Sequence, residues 1–213
     1  KCRAFVGKKR HKNKKKTKTS TYFCFVRGGL ILAFRLSDKR CEEIKEIVVN
    51  TFEELNIRCI PISAFEMATK LGAVVVPYSS KSEETRQLMM ERSEDGFTIK
   101  KDGVWYIFYN DAKGYGRVNN TLTHECGHIV LDHTEESELA EAEAKFFAKY
   151  ALAPPVLIHK LELKDAYEVY EHFDISLEAA GYAFSYYRKW LTYGNKAYTN
   201  YEIRLLQLFK EVV

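Results

Sequence analysis

The sequence lacks the cysteine pairs on which disulfide-rich proteins and cysteine zinc sites depend. Its five cysteines are scattered along the chain, and none belongs to a Cys-x-x-Cys pair. An odd, scattered set argues against a disulfide framework and is typical of a reducing cytosol. We therefore expect a cytoplasmic protein without structural disulfides.

The chain also lacks a hydrophobic run long enough to cross a bilayer. The apolar residues between 22 and 34 are interrupted by Arg27-Gly28-Gly29 and fall short of a membrane span. Hydrophobic residues nevertheless make up 46% of the 213 positions, which is enough for a folded core. This length suits one domain with extensions, and we expect no transmembrane segment.

Acidic residues are missing from the first 20 positions, which hold ten Lys or Arg. The rest of the chain has 23 basic and 29 acidic residues, a net charge of −6. Nucleic-acid binding is therefore expected only through residues 1–20, if at all. We interpret 1–37 as a basic and then apolar extension of uncertain order, 38–190 as the main domain, and 191–213 as a helical extension.

The main chemical motif is His124-Glu125-Cys126-Gly127-His128. On a helix, histidines four residues apart lie on one face, so both imidazoles can bind one metal ion. Glu125 can then reach a water on that metal as a general base. The apolar residues 129–131 would hold the helix in a core. The alternative is a helix that contains two histidines by chance.

A catalytic zinc needs three protein ligands and an open position, so a third ligand is expected nearby. The candidates are the acids that follow the motif: Asp132, Glu135, Glu136, Glu138, Glu141 and Glu143. Helical periodicity places Glu143 about 40° from Phe147, at the edge of the apolar stripe of the next helix, so we favour Glu143. Asp132, one turn below His128, is expected to orient that ligand without touching the metal. His133 is interpreted as a surface or helix-end histidine.

Two strands are predicted ahead of the motif, at 96–100 and 104–109, joined by the turn Lys101-Asp102-Gly103. The second strand could accept an extended peptide as an added strand, which makes Trp105 and Tyr109 candidate substrate-binding residues. The alternative is ordinary aromatic packing within a sheet. Arg117 is a further candidate beside the motif, although we favour a structural role for it. Upstream, helices are predicted from residue 38 and over 61–72, with a short strand at 73–77 and a loop or frayed helix at 79–90.

Residues 117–154 resemble the ImmA/IrrE family of metallopeptidases. The similar segments are the motif itself, followed by Ile129, and Glu143-Ala144-Lys145-Phe146-Phe147-Ala148 with Pro154 after it. The resemblance implies an α+β fold, a minimal zincin-like domain with a small antiparallel sheet packed on helices that include the motif helix. It implies one Zn²⁺ per chain, held by His124, His128 and Glu143, with Glu125 as the general base.

The resemblance also implies a biological role and a partner. Members of the family cut helix-turn-helix repressors and so switch on mobile-element or stress genes. A site-specific zinc endopeptidase is therefore the favoured function. One alternative is a catalytically quiet regulatory or antitoxin-like binding module of the same fold, against which the intact Glu125 argues. Another is a nucleic-acid-associated protein that uses residues 1–20.

Overall fold

The positions of the helices and strands follow the sequence patterns closely. The structure, a computed structural model, describes residues 35–194 and 197–212. In chain order its elements are α1 (Asp38–Glu54), α2 (Ala64–Lys70), β1 (Val74–Pro77), α3 (Glu83–Arg92), β2 (Gly96–Lys101), β3 (Val104–Tyr109), α4 (Tyr115–Val130), α5 (Glu138–Leu152), α6 (Pro155–Lys160), α7 (Ala166–Phe173), α8 (Leu177–Tyr193) and α9 (Asn200–Leu208). The helices and the small sheet confirm the predicted α+β class.

The sheet is mixed rather than antiparallel, which corrects one part of the prediction. Its strand order is β1-β3-β2, with β2 antiparallel to β3 and β1 parallel to β3. The β2–β3 hairpin turns through Asp102 and Gly103, both at positive φ, as a tight two-residue turn requires. The chain travels from β1 through α3 and β2 before it forms β3, and β3 then inserts between its two predecessors in the parallel direction to β1.

The central position of β3 has a consequence for substrate binding. Both edges of β3 are hydrogen-bonded to neighbouring strands, so no peptide can add to it. The expectation that a substrate pairs with residues 104–109 is therefore wrong. In the described part of the chain, the strand with a free edge next to the motif helix is β2.

Helix α4 carries the motif and packs against α2, α5 and the sheet. Val118, Leu122 and Cys126 recur at helical spacing and are buried in the core. Gly127 lies where α4 and α5 are in close contact. A Cβ at this position would meet Phe147 Cδ1 at 3.1 Å and Ala144 Cα at 3.3 Å. The glycine of the motif therefore sets the spacing between the two helices that build the site.

Serine side chains cap the starts of α2 and α5. The Ser63 hydroxyl accepts a hydrogen bond from Glu66 N at the start of α2, and Gly72 follows this helix at positive φ. Ser137 caps α5 in the same way. The segment 79–90, interpreted as a loop or frayed helix, overlaps most of α3 (Glu83–Arg92), which has no buried residue. Hydrophobic periodicity could not distinguish between these two alternatives, because it detects only helices with an apolar face.

The carboxyl-terminal helix packs on the first helix of the domain. Phe209, just after α9, is fully buried and meets Phe52 of α1 edge-on, with ring centroids 5.9 Å apart. The proposed domain boundaries remain a prediction, and residues 1–34 of the predicted extension 1–37 lie outside the described residues. Among the helices of the described ranges, none is long and apolar enough to cross a membrane.

Candidate metal centre

Two imidazoles and one carboxylate converge at the junction of α4 and α5. The Nε2 atoms of His124 and His128 lie 3.1 Å apart. Glu141 approaches both rings, with Oε2 at 3.6 Å from His124 Nε2 and Oε1 at 3.3 Å from His128 Nε2. These three residues form a group whose potential ligand atoms all lie within 4.8 Å of one another.

The spacing and the chemistry of this group fit a zinc ion. Nitrogen and oxygen ligands at about 2.0–2.1 Å from a tetrahedral zinc are about 3.3 Å from each other, and the separations here are 3.1, 3.3 and 3.6 Å. Burial, and then the neighbouring His128, lower the pKa of His124 to about 4, and burial likewise lowers the pKa of His128. Both imidazoles are therefore neutral at neutral pH, as metal ligands must be. Three protein ligands leave one position open for chemistry.

Glu143, the third ligand predicted from the sequence, is not brought to the Nε2 atoms in this structure. Its Oε1 accepts a hydrogen bond from Arg40 Nε at 2.7 Å, and its Oε2 lies 3.0 Å from Arg40 Nη2 and from His133 Nε2. The Arg40 hydrogen bond is the main reason that the pKa of Glu143 is lowered. A buried acid requires a partner, and the partner of Glu143 is an arginine of α1.

The choice between Glu141 and Glu143 depends on which side of α5 faces the histidines. The two acids are about 200° apart around the helix, and they flank the Ala144–Phe147 line that packs against Gly127. Periodicity identifies that line but does not say which flank meets α4 on its histidine side. The Glu141 side chain is 47% exposed and also pairs with Lys145, whereas that of Glu143 is 8% exposed. The half-exposed acid is the one beside the imidazoles.

His133 lies just beyond the end of α4, as expected of a helix-end histidine, but its ring contacts His128 instead of facing solvent. Its Nδ1 lies 3.0 Å from His128 Nδ1, and its side chain is 11% exposed. Helix α4 ends before this residue, and Asp132 adopts φ 50°, so the backbone turns and His133 N bonds to His128 O at 2.9 Å. Extending the helix through residue 133 pointed the ring away. The signal that could have found it is the end of the apolar run at Leu131.

Asp132 does not occupy the place behind His128 that the sequence suggested for it. Its side chain is 76% exposed, and its Oδ1 lies 3.9 Å from Lys100 Nζ. The left-handed turn that brings His133 onto His128 directs Asp132 outward toward β2. His133 is the residue in contact with the second nitrogen of His128.

Glu125 lies on the sheet side of α4 and is nearly buried. It is 5% exposed, and its Oε2 accepts a hydrogen bond from Thr98 Oγ1 of β2 at 2.7 Å. Burial raises the pKa of Glu125 to about 7, while the Thr98 hydrogen bond opposes that shift. A carboxylate with a pKa near the working pH is suited to take up and release a proton. Sequence reasoning missed Thr98, which only the packing of α4 on β2 reveals.

The three candidate substrate residues all have partners within the chain. Trp105 lies under Lys100 Nζ, 4.7 Å from the ring centroid, and Tyr109 meets Phe65 edge-on at 5.6 Å. Arg117 forms a bidentate ion pair with Asp95, at 2.6 and 2.8 Å. These contacts give each residue a packing role, and a role in substrate binding stays a prediction.

A comparison with protein families now identifies the domain. The model of the peptidase M78 family, described as an IrrE N-terminal-like domain, matches residues 68–185, more than half of the chain. The chain belongs to the peptidase M78 family. This match confirms the resemblance inferred from the motif, and the family is one of metallopeptidases. The α+β fold of the chain is consistent with that family.

The M78 match covers the residues that surround the metal centre on α4, α5 and β2. It does not include α1, which supplies Arg40. No curated protein matches the chain.

Proposed function

We propose that this M78 protein is a zinc-dependent endopeptidase that hydrolyses a peptide bond between β2 and the junction of α4 and α5. One observation carries the proposal: His124, His128 and Glu141 converge on α4 and α5, and the nearly buried Glu125 adjoins the first of these ligands. A site that only bound a partner would not need a buried acid with its pKa raised to about 7.

The residues of the chain divide the chemistry between binding and proton transfer. When bound, zinc supplies Lewis-acid chemistry, which polarises the scissile carbonyl and makes a water more acidic. Glu125 takes a proton from the attacking water as the new C–O bond forms. It delivers that proton to the amide nitrogen as the C–N bond breaks, so the products are a carboxylate and an amine. Thr98 holds Glu125 in place through its hydroxyl.

The free edge of β2 is the strand that a substrate can join. In a hairpin with a two-residue turn, Lys101 and Val104 form the hydrogen-bonded pair next to the turn. The backbone groups of Thr98 and Lys100 then point away from β3, toward the open edge. A peptide that pairs there lies next to the strand position whose side chain bonds Glu125. The strand that we propose to pair with the substrate is therefore β2 rather than β3.

The substrate we propose is a helix-turn-helix transcriptional repressor, cleaved at one site to release mobile-element or stress genes. This part of the proposal rests on the resemblance to the ImmA/IrrE proteins. The acidic main body of the chain, with a net charge of −6 beyond residue 20, suits a basic protein substrate better than nucleic acid itself.

The test compares wild type with Glu125→Gln, first for zinc content by elemental analysis and then for cleavage in cells. New protein amino termini are mapped by mass spectrometry after expression of each form. We expect about one zinc per chain in both. Wild type should produce new termini in a DNA-binding repressor, and Glu125→Gln should lose that cleavage by about 10²- to 10⁴-fold.

Two outcomes would contradict the proposal. Wild type that binds no zinc even when zinc is offered would remove the metal site. Zinc binding with identical amino termini from wild type and Glu125→Gln would leave a binding module that has kept the fold.

A further inference from the structure

A continuous set of hydrogen bonds links the metal centre to the first turn of α1. His128 Nδ1 lies 3.0 Å from His133 Nδ1, His133 Nε2 lies 3.0 Å from Glu143 Oε2, and Arg40 holds both Glu143 oxygens. We refer to His133, Glu143 and Arg40 as the supporting chain. Its members come from three separate places in the sequence: α1, the turn after α4, and α5.

We propose that the supporting chain is a positioning device that fixes the orientation and the tautomer of His128, so that its Nε2 lone pair points at the metal. The inference rests on the proposed metal site and adds three residues that do not touch the metal. It reassigns Glu143 from ligand to support.

The direction of every hydrogen bond follows from one condition. If Nε2 of His128 binds the metal, its proton is on Nδ1, and Nδ1–H donates to His133 Nδ1. His133 then carries its own proton on Nε2 and donates it to Glu143 Oε2. The Glu143 carboxylate accepts this hydrogen bond and two more from Arg40. The guanidinium of Arg40 is always protonated and has no alternative tautomer to assign. Each donor meets an acceptor, and no step conflicts with another.

The charges also agree with this assignment. Glu143 is buried, and a buried carboxylate is costly unless it is paired. Arg40 supplies a bidentate, charge-assisted pair that keeps Glu143 ionised. An ionised Glu143 attracts the His133 Nε2 proton, which leaves His133 Nδ1 free to accept from His128. Hydrogen bonds of this kind behind a metal ligand orient the ring and typically contribute about 10- to 100-fold in metal affinity.

The test measures zinc affinity by chelator competition and the visible spectrum of the Co²⁺-substituted protein. His133→Phe keeps a ring of similar size but has no acceptor for His128 Nδ1. We expect its zinc affinity to fall by about 10- to 100-fold, with altered Co²⁺ band positions. His133→Gln has an amide oxygen that can accept from His128 and an NH₂ that can donate to Glu143. It should recover part of the affinity and the wild-type spectrum.

Arg40 is tested against a matched ion pair on the same helix. Arg204 bonds Glu53 of α1 from α9, and its side chain is 34% exposed, against 33% for Arg40. Arg40→Met should weaken zinc binding, whereas Arg204→Met should leave zinc affinity and the Co²⁺ spectrum unchanged. The double variant His133→Phe/Arg40→Met should bind zinc as His133→Phe does, because Arg40 acts through His133. Arg40→Lys provides a milder variant if Arg40→Met does not fold.

The outcomes separate this inference from the proposed function. If wild type binds zinc and His133→Phe binds it equally well, the positioning role is refuted while the metal site stands. Equal losses in Arg40→Met and Arg204→Met would also refute it, since they would reflect the general anchoring of α1. Wild type that binds no zinc would overturn the metal site, and the inference with it.

Discussion

The two acids beside the His124–His128 pair differ in their polar contacts with the rest of the chain. On one side, Glu141 approaches the Nε2 atoms at 3.3 and 3.6 Å, and almost half of its side chain is exposed. On the other side, Glu143 receives hydrogen bonds of 2.7–3.0 Å from Arg40 and His133 and is nearly buried. The two acids stand only two residues apart on α5.

The difference teaches what each position requires. A metal ligand must offer a lone pair, so a position whose contacts are long and partly solvated suits an incoming cation. A supporting residue must hold still, so it should be saturated with short bonds before the metal arrives. On the ligand set proposed above, the open side of the pair is the ligand side, and the bonded side is the support.

The largest expected effect comes from exchanging the two acids for glutamine one at a time. Glu141→Gln removes the anionic ligand and should lose nearly all zinc. Glu143→Gln should keep zinc, with affinity lower by about 10- to 100-fold. Elemental analysis and chelator competition on both variants measure this. If Glu141→Gln keeps zinc and Glu143→Gln loses it, Glu143 is the ligand, as predicted from the sequence, and Glu141 is not.

Both sides depend on the spacing between α4 and α5, which Gly127→Ala would disturb. The added Cβ meets Phe147 and Ala144 at 3.1 and 3.3 Å, so the helices must separate slightly. We expect a loss of about 1–3 kcal/mol in the free energy of unfolding, measured in urea, with weaker zinc binding. Gly181→Ala in α8, where a Cβ meets nothing within 4 Å, is the control and should stabilise slightly. Equal stability of the two variants would show that the close approach is not required.

Thr98→Val tests whether the general base has a support of its own. The variant loses the hydroxyl that bonds Glu125 but keeps the side-chain shape. Because a hydrogen bond to a charged group contributes about 1.5–3 kcal/mol, kcat should fall by about 10-fold or more while zinc content stays unchanged. Thr98→Ser should restore most of the rate. Loss of zinc in Thr98→Val would mean that β2 supports the ligands rather than Glu125.

The smallest effect is expected at the exposed end of α4. Arg117 and Asp95 form the same bidentate geometry as Arg40 and Glu143, but their side chains are 54% and 37% exposed. Arg117→Gln should cost less than about 1 kcal/mol of unfolding free energy at neutral pH. Urea unfolding of Arg40→Met provides the comparison. If Arg117→Gln and Arg40→Met lose equal unfolding free energy, burial does not distinguish the two ion pairs.

The pH dependence of Arg117→Gln has a definite sign. The hydrogen bond from Arg117 lowers the pKa of Asp95 in the folded protein. The pair therefore stabilises the fold above about pH 4, where the unfolded carboxyl is ionised, and this contribution is lost as the pH falls through the lower folded pKa. Urea unfolding of both proteins at pH 7 and at pH 3 or below should show the difference shrinking in acid. A difference that grows in acid would contradict the assignment.

Local patterns were sufficient to predict the motif helix and the β2–β3 hairpin. Spacing alone puts His124 and His128 on one face, and the Asp102-Gly103 turn identifies the hairpin. The interaction of Arg40 with Glu143 could not be found in this way, because it joins residues 103 apart in sequence. The direction of β1 and the place of His133 depend on how the chain turns between elements, and periodicity within one element carries no such information.

Arg40 also bears on where the amino-terminal boundary of a shortened polypeptide can lie. A polypeptide begun at residue 68 would contain His124, Glu125, His128 and both acids of α5, and it would match the whole family model. It would leave Glu143 without its arginine partner. It would also remove Phe52 and the rest of the α1 face from the core. If the supporting chain acts as proposed, the family match and the smallest protein with full zinc affinity have different boundaries, and the latter begins no later than the first turn of α1.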